Sequence, residues 1–329
     1  MILLTFCGIL AVPFLLVGGL LAIFKRGRRW RVLKYTTAVY LAATTMLIFG
    51  AGPYLMARFV ANAGSRPMEA GLNETPAQWQ LPFTEISFPA KDGVRLSGWF
   101  IAPQNRKAIV IYSHGLFRSR YEVFDRAMKL CRLGYGALLY DTRHHGRSDK
   151  AIVSLGYFER NDILGAIRWV RQRTETADSK IVLMGVSMGA AAVLMAAAET
   201  DDYEALILDS PFMSLEETVA HHTWLFLKLP RYPFVPLFLH YYRQRADFDW
   251  RSFDVGAAAS RVRPCPVLMI HGGRDERIPL DQGRRIFERL PGTSKQFYVV
   301  ETATHGAGYR MAPDAYMAQV TAFLQKHIE

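Results

Sequence analysis

The 329 residues are 50% hydrophobic and 21% charged, enough apolar chain to bury a large core, which excludes a disordered tail and a disulfide-stapled miniprotein. The net charge of +11 is concentrated at one end: seven of the 40 Lys and Arg lie in residues 1–60, which hold no Asp or Glu, leaving 33 basic against 29 acidic residues over the rest. With no long basic run there, a nucleic-acid partner is not expected. Two uncharged stretches open the chain, Met1–Phe24 and Tyr35–Ala57, and each has the roughly 20 residues a helix needs to cross a bilayer. No Lys or Arg precedes the first, the reverse of a secretory signal, so the expectation is a transmembrane helical hairpin over 1–60, with a hairpin dipping into one leaflet as the alternative. The basic joining segment Lys25–Arg31 favours the cytoplasmic side. That placement makes the chain an integral membrane protein, of a bacterial inner membrane, with everything after Arg58 on the extracytoplasmic side. Trp30, Tyr35 and Tyr54 fall near the expected water interfaces.

Residues 61–82, with Gly64, Pro67, Gly71, Pro76 and Pro82, suggest a linker, and a catalytic domain is expected over 83–329. Strand-like runs follow at Glu85–Phe88, Val94–Ile101, Ala108–Ser113, Gly136–Tyr140, Ile181–Val186, Ala205–Asp209, Val267–His271 and Gln296–Val300. Helix-length segments lie between the later ones: Tyr121–Leu133, Asn161–Arg173, Met188–Glu199, Asp281–Leu290 and Ala315–Lys326. An antiparallel start followed by strand–helix alternation predicts an α/β fold with a mostly parallel sheet covered on both faces. A stretch of aromatic and apolar residues over about 211–262 breaks the rhythm. It reads equally as a pair of core helices or as a lid over the carboxyl edge of the sheet, where ligands of such sheets bind.

The motif Gly185-Val186-Ser187-Met188-Gly189 follows the apolar strand Ile181–Met184 and opens an Ala-rich helix. A nucleophilic serine needs that context: a sharp turn holds its hydroxyl clear of the sheet, glycines let backbone approach, and the helix amino terminus favours developing negative charge. Serine also needs a base, and the base an orienting carboxylate. Asp275, in the turn after Val267–Ile270, and His305, after the last strand, follow Ser187 in the chain order serine, acid, histidine. Asp209, at the end of another strand, is the alternative acid. The pairs His144-His145 and His221-His222 lack the spacing of a metal site, and no phosphate or dinucleotide fingerprint occurs, so no cofactor and no metal are expected. Cys131 and Cys265 read as two buried thiols, or as a pair in an oxidising compartment.

Together these residues resemble the α/β-hydrolase superfamily over roughly 83–329, and within it the serine aminopeptidase and monoacylglycerol-lipase-like branch with an amino-terminal membrane anchor. The resemblance implies Ser187 as nucleophile, Asp275 rather than Asp209 as acid and His305 as base. The loop Ser113-His114-Gly115-Leu116-Phe117-Arg118 is similar to the superfamily's oxyanion segment, which implies the backbone amides of Leu116 and Met188 as oxyanion donors. His114-Gly115 departs from the triple-glycine version, so tertiary-alcohol esterase activity is not implied. The function expected is a membrane-anchored serine hydrolase of carboxylic esters or thioesters, lipid-derived ones included. The competing readings are an aminopeptidase-like serine peptidase, for which Glu216, Glu217 and Asp247 are the candidate amine-binding carboxylates, and a non-catalytic binding protein on the same fold.

Overall fold

Four strands are buried at every residue: Ala108–Ser113 (β3), Gly136–Tyr140 (β4), Ala205–Asp209 (β6) and Val267–Gly272 (β7). Strands with no polar alternation must be covered on both faces, which is the situation inside a parallel sheet. The computed structural model, which describes residues 26–70 and 72–329, shows this arrangement. With Thr84–Pro89 (β1), Arg95–Ile101 (β2), Lys180–Val186 (β5) and Lys295–Val300 (β8), the strands form one eight-stranded sheet in the order β1-β2-β4-β3-β5-β6-β7-β8. β1 pairs with β2, and β2 with β4, antiparallel; every other pair is parallel. Neighbouring residues of β3 face opposite layers: Ile109 and Ile111 join one core, Val110 and Tyr112 the other, as the period of two requires.

The helices described are Arg26–Met46 (α1), Gly52–Ala61 (α2), Pro67–Ala70 (α3), Phe124–Arg132 (α4), Glu159–Arg171 (α5), Met188–Ala197 (α6), Leu215–Leu227 (α7), Arg231–Ala246 (α8), Val255–Ala259 (α9), Leu280–Arg289 (α10), Gly308–Met311 (α11) and Pro313–His327 (α12). α5, α6 and the helices from α7 to α10 pack on one face of the sheet, α4 and α12 on the other. The 211–262 stretch is the helical pair α7 and α8 followed by α9. α8 buries Val235, Phe238, Leu239 and Tyr242, while Trp224, Phe226 and Leu227 of α7 and Tyr232 of α8 stand exposed. The stretch is thus part core and part surface. Cys131 and Cys265 are separate, buried thiols.

At the amino end the described residues hold the second apolar run of the expected hairpin, with the basic residues from Arg26 in a helix rather than a loop. The first apolar run lies outside the described residues, and the described chain holds one helix, Trp30–Ala61, long and apolar enough to cross a membrane. The basic stretch from Arg26 is not a loop but the start of that helix, because Arg, Lys and Leu are good helix formers and Gly27 alone, at about 1 kcal/mol, does not break it. Its carboxyl half is docked on the domain. Phe49 stacks on Phe234 at 5.6 Å, Tyr54 meets Tyr241 edge-on at 5.7 Å, and Ala57 and Ala61 are fully buried.

Residues 61–82 also pack, where an open linker was expected. Pro67 and Pro76 each start a helical turn, the position where a missing N–H does no harm. Trp79 lies against Phe124 and under the Arg132 guanidinium, and Tyr121 donates its hydroxyl to the Leu72 carbonyl at 2.7 Å.

Candidate active site

Ser187 stands between β5 and α6 with φ 53° and ψ −115°, a left-handed conformation that a non-glycine residue holds only when its surroundings enforce it. The enforcement is visible. The Ser187 amide donates to the Asp209 carbonyl at 2.8 Å, and the two flanking glycines leave room where strand and helix cross. A Cβ on Gly185 would overlap the Gly189 backbone, and one on Gly189 would overlap the Ser113 carbonyl. The turn therefore needs small residues at both positions to lift the Ser187 hydroxyl off the sheet.

His305 follows β8 and points Nε2 at the Ser187 hydroxyl, 2.8 Å away; its Nδ1 lies 2.7 Å from Asp275 Oδ2. The carboxylate can only accept, so Nδ1 carries the proton and the lone pair on Nε2 receives the serine O–H. Asp275 has a fully buried side chain, and its Oδ1 accepts from the amides of Arg277 at 3.0 Å and Ile278 at 2.8 Å. Those bonds fix the carboxylate so that Oδ2 faces the histidine. Burial keeps the neighbouring His271 below its usual pKa; its Nε2 donates to the Ile278 carbonyl at 2.9 Å, closing the same turn.

Asp209 is occupied elsewhere. Its carboxylate accepts from Ser210 Oγ at 3.0 Å and Tyr316 Oη at 3.0 Å, with Arg126 Nη1 at 3.6 Å. These are packing bonds beneath the sheet edge, so the alternative acid is not the one that meets His305.

The Leu116 and Met188 amides donate to no protein acceptor among the described residues. For Met188 this follows from its place at the first position of α6, where helix N–H groups have no intrahelical partner. Leu116 sits in a tight turn: the Arg118 amide donates to the Gly115 carbonyl at 3.3 Å, and Phe117 has φ 63°. A Cβ on Gly115 would come within 3.5 Å of Ser187 Cβ, so this loop and the nucleophile are adjacent. His114 is structural: Nδ1 donates to the Gly115 carbonyl at 2.8 Å, Nε2 accepts from the Thr142 amide at 3.0 Å, and burial, with His145 adding to it, pushes its pKa down to about 3.

The other histidine pairs are held by backbone. His144 Nδ1 donates to Ala151 O and His145 Nδ1 to Arg143 O. His221 and His222 donate from Nε2 to the carbonyls of Glu276, at 2.7 Å, and Arg277, at 3.0 Å, so α7 is tied to the turn that carries Asp275. Sequence reasoning did not find that role. Nor did it find Glu122, whose carboxylate accepts from the Gly115 amide at 2.7 Å; the Ser119-x-x-Glu122 spacing resembles a capping box, but Ser119 caps nothing with its side chain and donates to Glu69 instead. Glu216 is paired with Arg231, and Glu217 with Arg285 through two bonds at 2.7 and 3.0 Å.

In sequence and fold the chain is similar to known proteins. The profile of the prolyl oligopeptidase family matches residues 148–329. An esterase from Pyrococcus furiosus superposes with a TM-score of 0.67 at 25% identity, covering 81% of this chain and 99% of the esterase. The protein YqkD of Bacillus subtilis is 27% identical over 247 residues, 74% of this chain and 80% of its own. The lysophosphatidylserine lipase ABHD12 of Danio rerio is 23% identical over 260 residues, 68% of this chain and 60% of the lipase.

Proposed function

Starting from the premise that the chain belongs to the prolyl oligopeptidase family and is a serine hydrolase of the α/β-hydrolase type, we propose that it cleaves carboxylic esters or thioesters of apolar, lipid-derived acyl groups while anchored in a membrane. The observation that carries the chemistry is the continuous chain Ser187–His305–Asp275.

In the first step His305 Nε2 takes the Ser187 proton as Oγ attacks the substrate carbonyl carbon. The carbonyl electrons move onto oxygen, which the amides of Leu116 and Met188 hold. The tetrahedral centre collapses, the bond to the alcohol or thiol breaks, and His305 returns the proton to that leaving group. Water, deprotonated by the same histidine, then attacks the acyl-enzyme and releases the acid and free Ser187. Asp275 keeps the imidazole oriented and stabilises its charged form.

The lipid part of the reading rests on the surface beside the site. The exposed Trp224, Phe226, Leu227 and Tyr232 lie on the insertion, whose helix α8 is stacked through Phe234 on Phe49 of the long apolar helix. Lys228 and Arg231 sit beside those rings, the pairing of aromatics and cations that suits a lipid–water interface. The basic residues at the start of the helix favour a cytoplasmic amino end and an extracytoplasmic domain.

The test is the initial rate on p-nitrophenyl esters from short to long acyl chains, with Ser187→Ala alongside. Activity that depends on Ser187 and peaks at long chains is the expected result; full activity in Ser187→Ala overturns the mechanism. Peptide-bond cleavage is the second reading, favoured by the family match, and Ser187-dependent release of p-nitroaniline from a dipeptide anilide without ester hydrolysis would replace the first. The arginine partners of Glu216 and Glu217 leave those two carboxylates poorly suited to bind a free amine.

A further inference from the structure

Between the long helix and β1, three residues grip the loop that carries Leu116. The Arg66 amide donates to the Phe117 carbonyl at 3.0 Å, and the Ser65 hydroxyl donates to the Arg118 carbonyl at 2.6 Å. Glu69, 6% exposed, accepts from the Ser119 hydroxyl and pairs with Arg118 Nη1 at 3.0 Å. Arg118 in turn reaches Glu122 Oε1 through Nε at 3.1 Å, and Glu122 Oε2 takes the Gly115 amide. A chain of charge-assisted bonds thus runs from Glu69 through Arg118 and Glu122 to the residue just before Leu116. Phe59, near the end of α2, adds a ring contact with Phe117 at 5.7 Å.

The Gly115 carbonyl is held by His114 Nδ1 at 2.8 Å and the Arg118 amide at 3.3 Å, and the bonds from Ser65, Arg66 and Glu69 hold the other side of the turn. Phe117 is in the left-handed region, which an L-residue leaves readily unless the flanking bonds over-determine it. Rotation of the Gly115–Leu116 peptide would turn the Leu116 N–H away from the nucleophile. The carboxylate of Glu69 lies in a buried site that raises its pKa, against which Ser119 and Arg118 act; a buried acid is retained there only with such partners.

We infer that Glu69 is a positioning residue for the oxyanion amide of Leu116, so that the segment leaving the membrane helix is a working part of the active site. This rests on the serine-hydrolase reading proposed above, in which Leu116 is a donor. Removing Glu69 would leave Arg118 with Glu122 alone and free Ser119, loosening the turn without touching Ser187, His305 or Asp275.

The experiment uses the full-length protein with a soluble short-chain p-nitrophenyl ester and a trifluoromethyl ketone, which forms a tetrahedral oxyanion on the serine. In Glu69→Ala, kcat is expected to fall roughly ten- to hundredfold, as for a small misplacement of a catalytic group, with KM within about twofold of wild type. The ketone's affinity should fall by the same factor as kcat/KM. Glu69→Gln, which can still accept from Ser119, should fall between the two. A merely structural role would lower the melting temperature and leave kcat of the folded fraction and ketone affinity alone. Should Glu69→Ala not fold, Glu69→Gln and Ser119→Ala carry the same comparison. Wild-type kcat and ketone affinity in all folded variants would overturn the inference. A wild-type protein that neither turns over esters nor binds the ketone would instead sink the hydrolase reading beneath it, and the inference with it.

Discussion

Gly189 and Ser113 touch backbone to backbone: a Cβ on Gly189 would overlap the Ser113 carbonyl oxygen and lie 2.8 Å from that of His114. The helix after the nucleophile and the strand before the oxyanion loop are therefore separated by the absence of one methyl group. Gly189→Ala is expected to destabilise the fold by about 1–3 kcal/mol through overpacking and to lower ester turnover of the folded fraction, because α6 must move and Ser187 with it. A urea unfolding curve and an ester assay check both. An unchanged midpoint with unchanged turnover would show that the backbone has slack here.

The two candidate acids separate function from stability. Asp275→Asn keeps the shape of the turn but removes the acceptor that fixes the His305 tautomer, so kcat should drop about 10⁴-fold with little change in melting temperature. Asp209→Asn should do the opposite: Arg126 is left buried beside a neutral amide, which costs on the order of 3 kcal/mol, while the folded fraction keeps most of its turnover. Thermal melts and kcat on the same preparations decide it, and the reverse pattern would make Asp209 the acid.

Burial, with the Arg277 guanidinium adding to it, pushes the His222 pKa from 6.5 down to about 4. The unfolded chain then takes up this proton first. The stabilisation from neutral His222 is present above about pH 6.5 and is lost as pH falls from there towards about 4. Other buried groups titrate in this range, so the quantity to measure is the difference between wild type and His222→Asn. Urea midpoints should converge, or cross, in the variant's favour on acidification through that window. Parallel curves would mean that His222 titrates normally in the fold.

The strands and the order serine, acid, histidine were legible in the sequence because both follow local rules. β3 to β8 each begin and end within a residue or so of their apolar runs, and the nucleophile turn is written in five consecutive residues. The amino end was legible only in part. Tyr35–Ala57 is as apolar as a bilayer helix, yet Ala57 and Ala61 are small because α8 packs on them, and composition does not distinguish a helix face buried in protein from one buried in lipid. Pro67 and Pro76 read as linker punctuation, although the same residues open helical turns. The bracing of the site by Glu69, Glu122 and His222 was invisible, since each acts across 7 to 55 residues of chain on a backbone group or a neighbouring side chain and no short-range pattern encodes such a contact.

The exposed aromatics of the insertion give the substrate reading its sharpest consequence. Trp224 and Phe226 are 59% and 50% exposed in the last turn of α7 and belong to neither core, so replacing both with Ser should lower the melting temperature only slightly, through the Phe226 contact with His222. If these rings hold the domain against lipid, Trp224→Ser/Phe226→Ser should lose about tenfold or more on a long-chain ester presented in vesicles, since each ring buries apolar area at the interface. Hydrolysis of a dissolved short-chain ester, which needs no interface, should continue at the wild-type rate. Equal loss on both substrates would place the rings on the path to Ser187, as a lid over the site rather than a foot on the membrane. No loss on either would leave the aromatic tip without a part in catalysis and would shift the substrate class towards small, water-soluble esters.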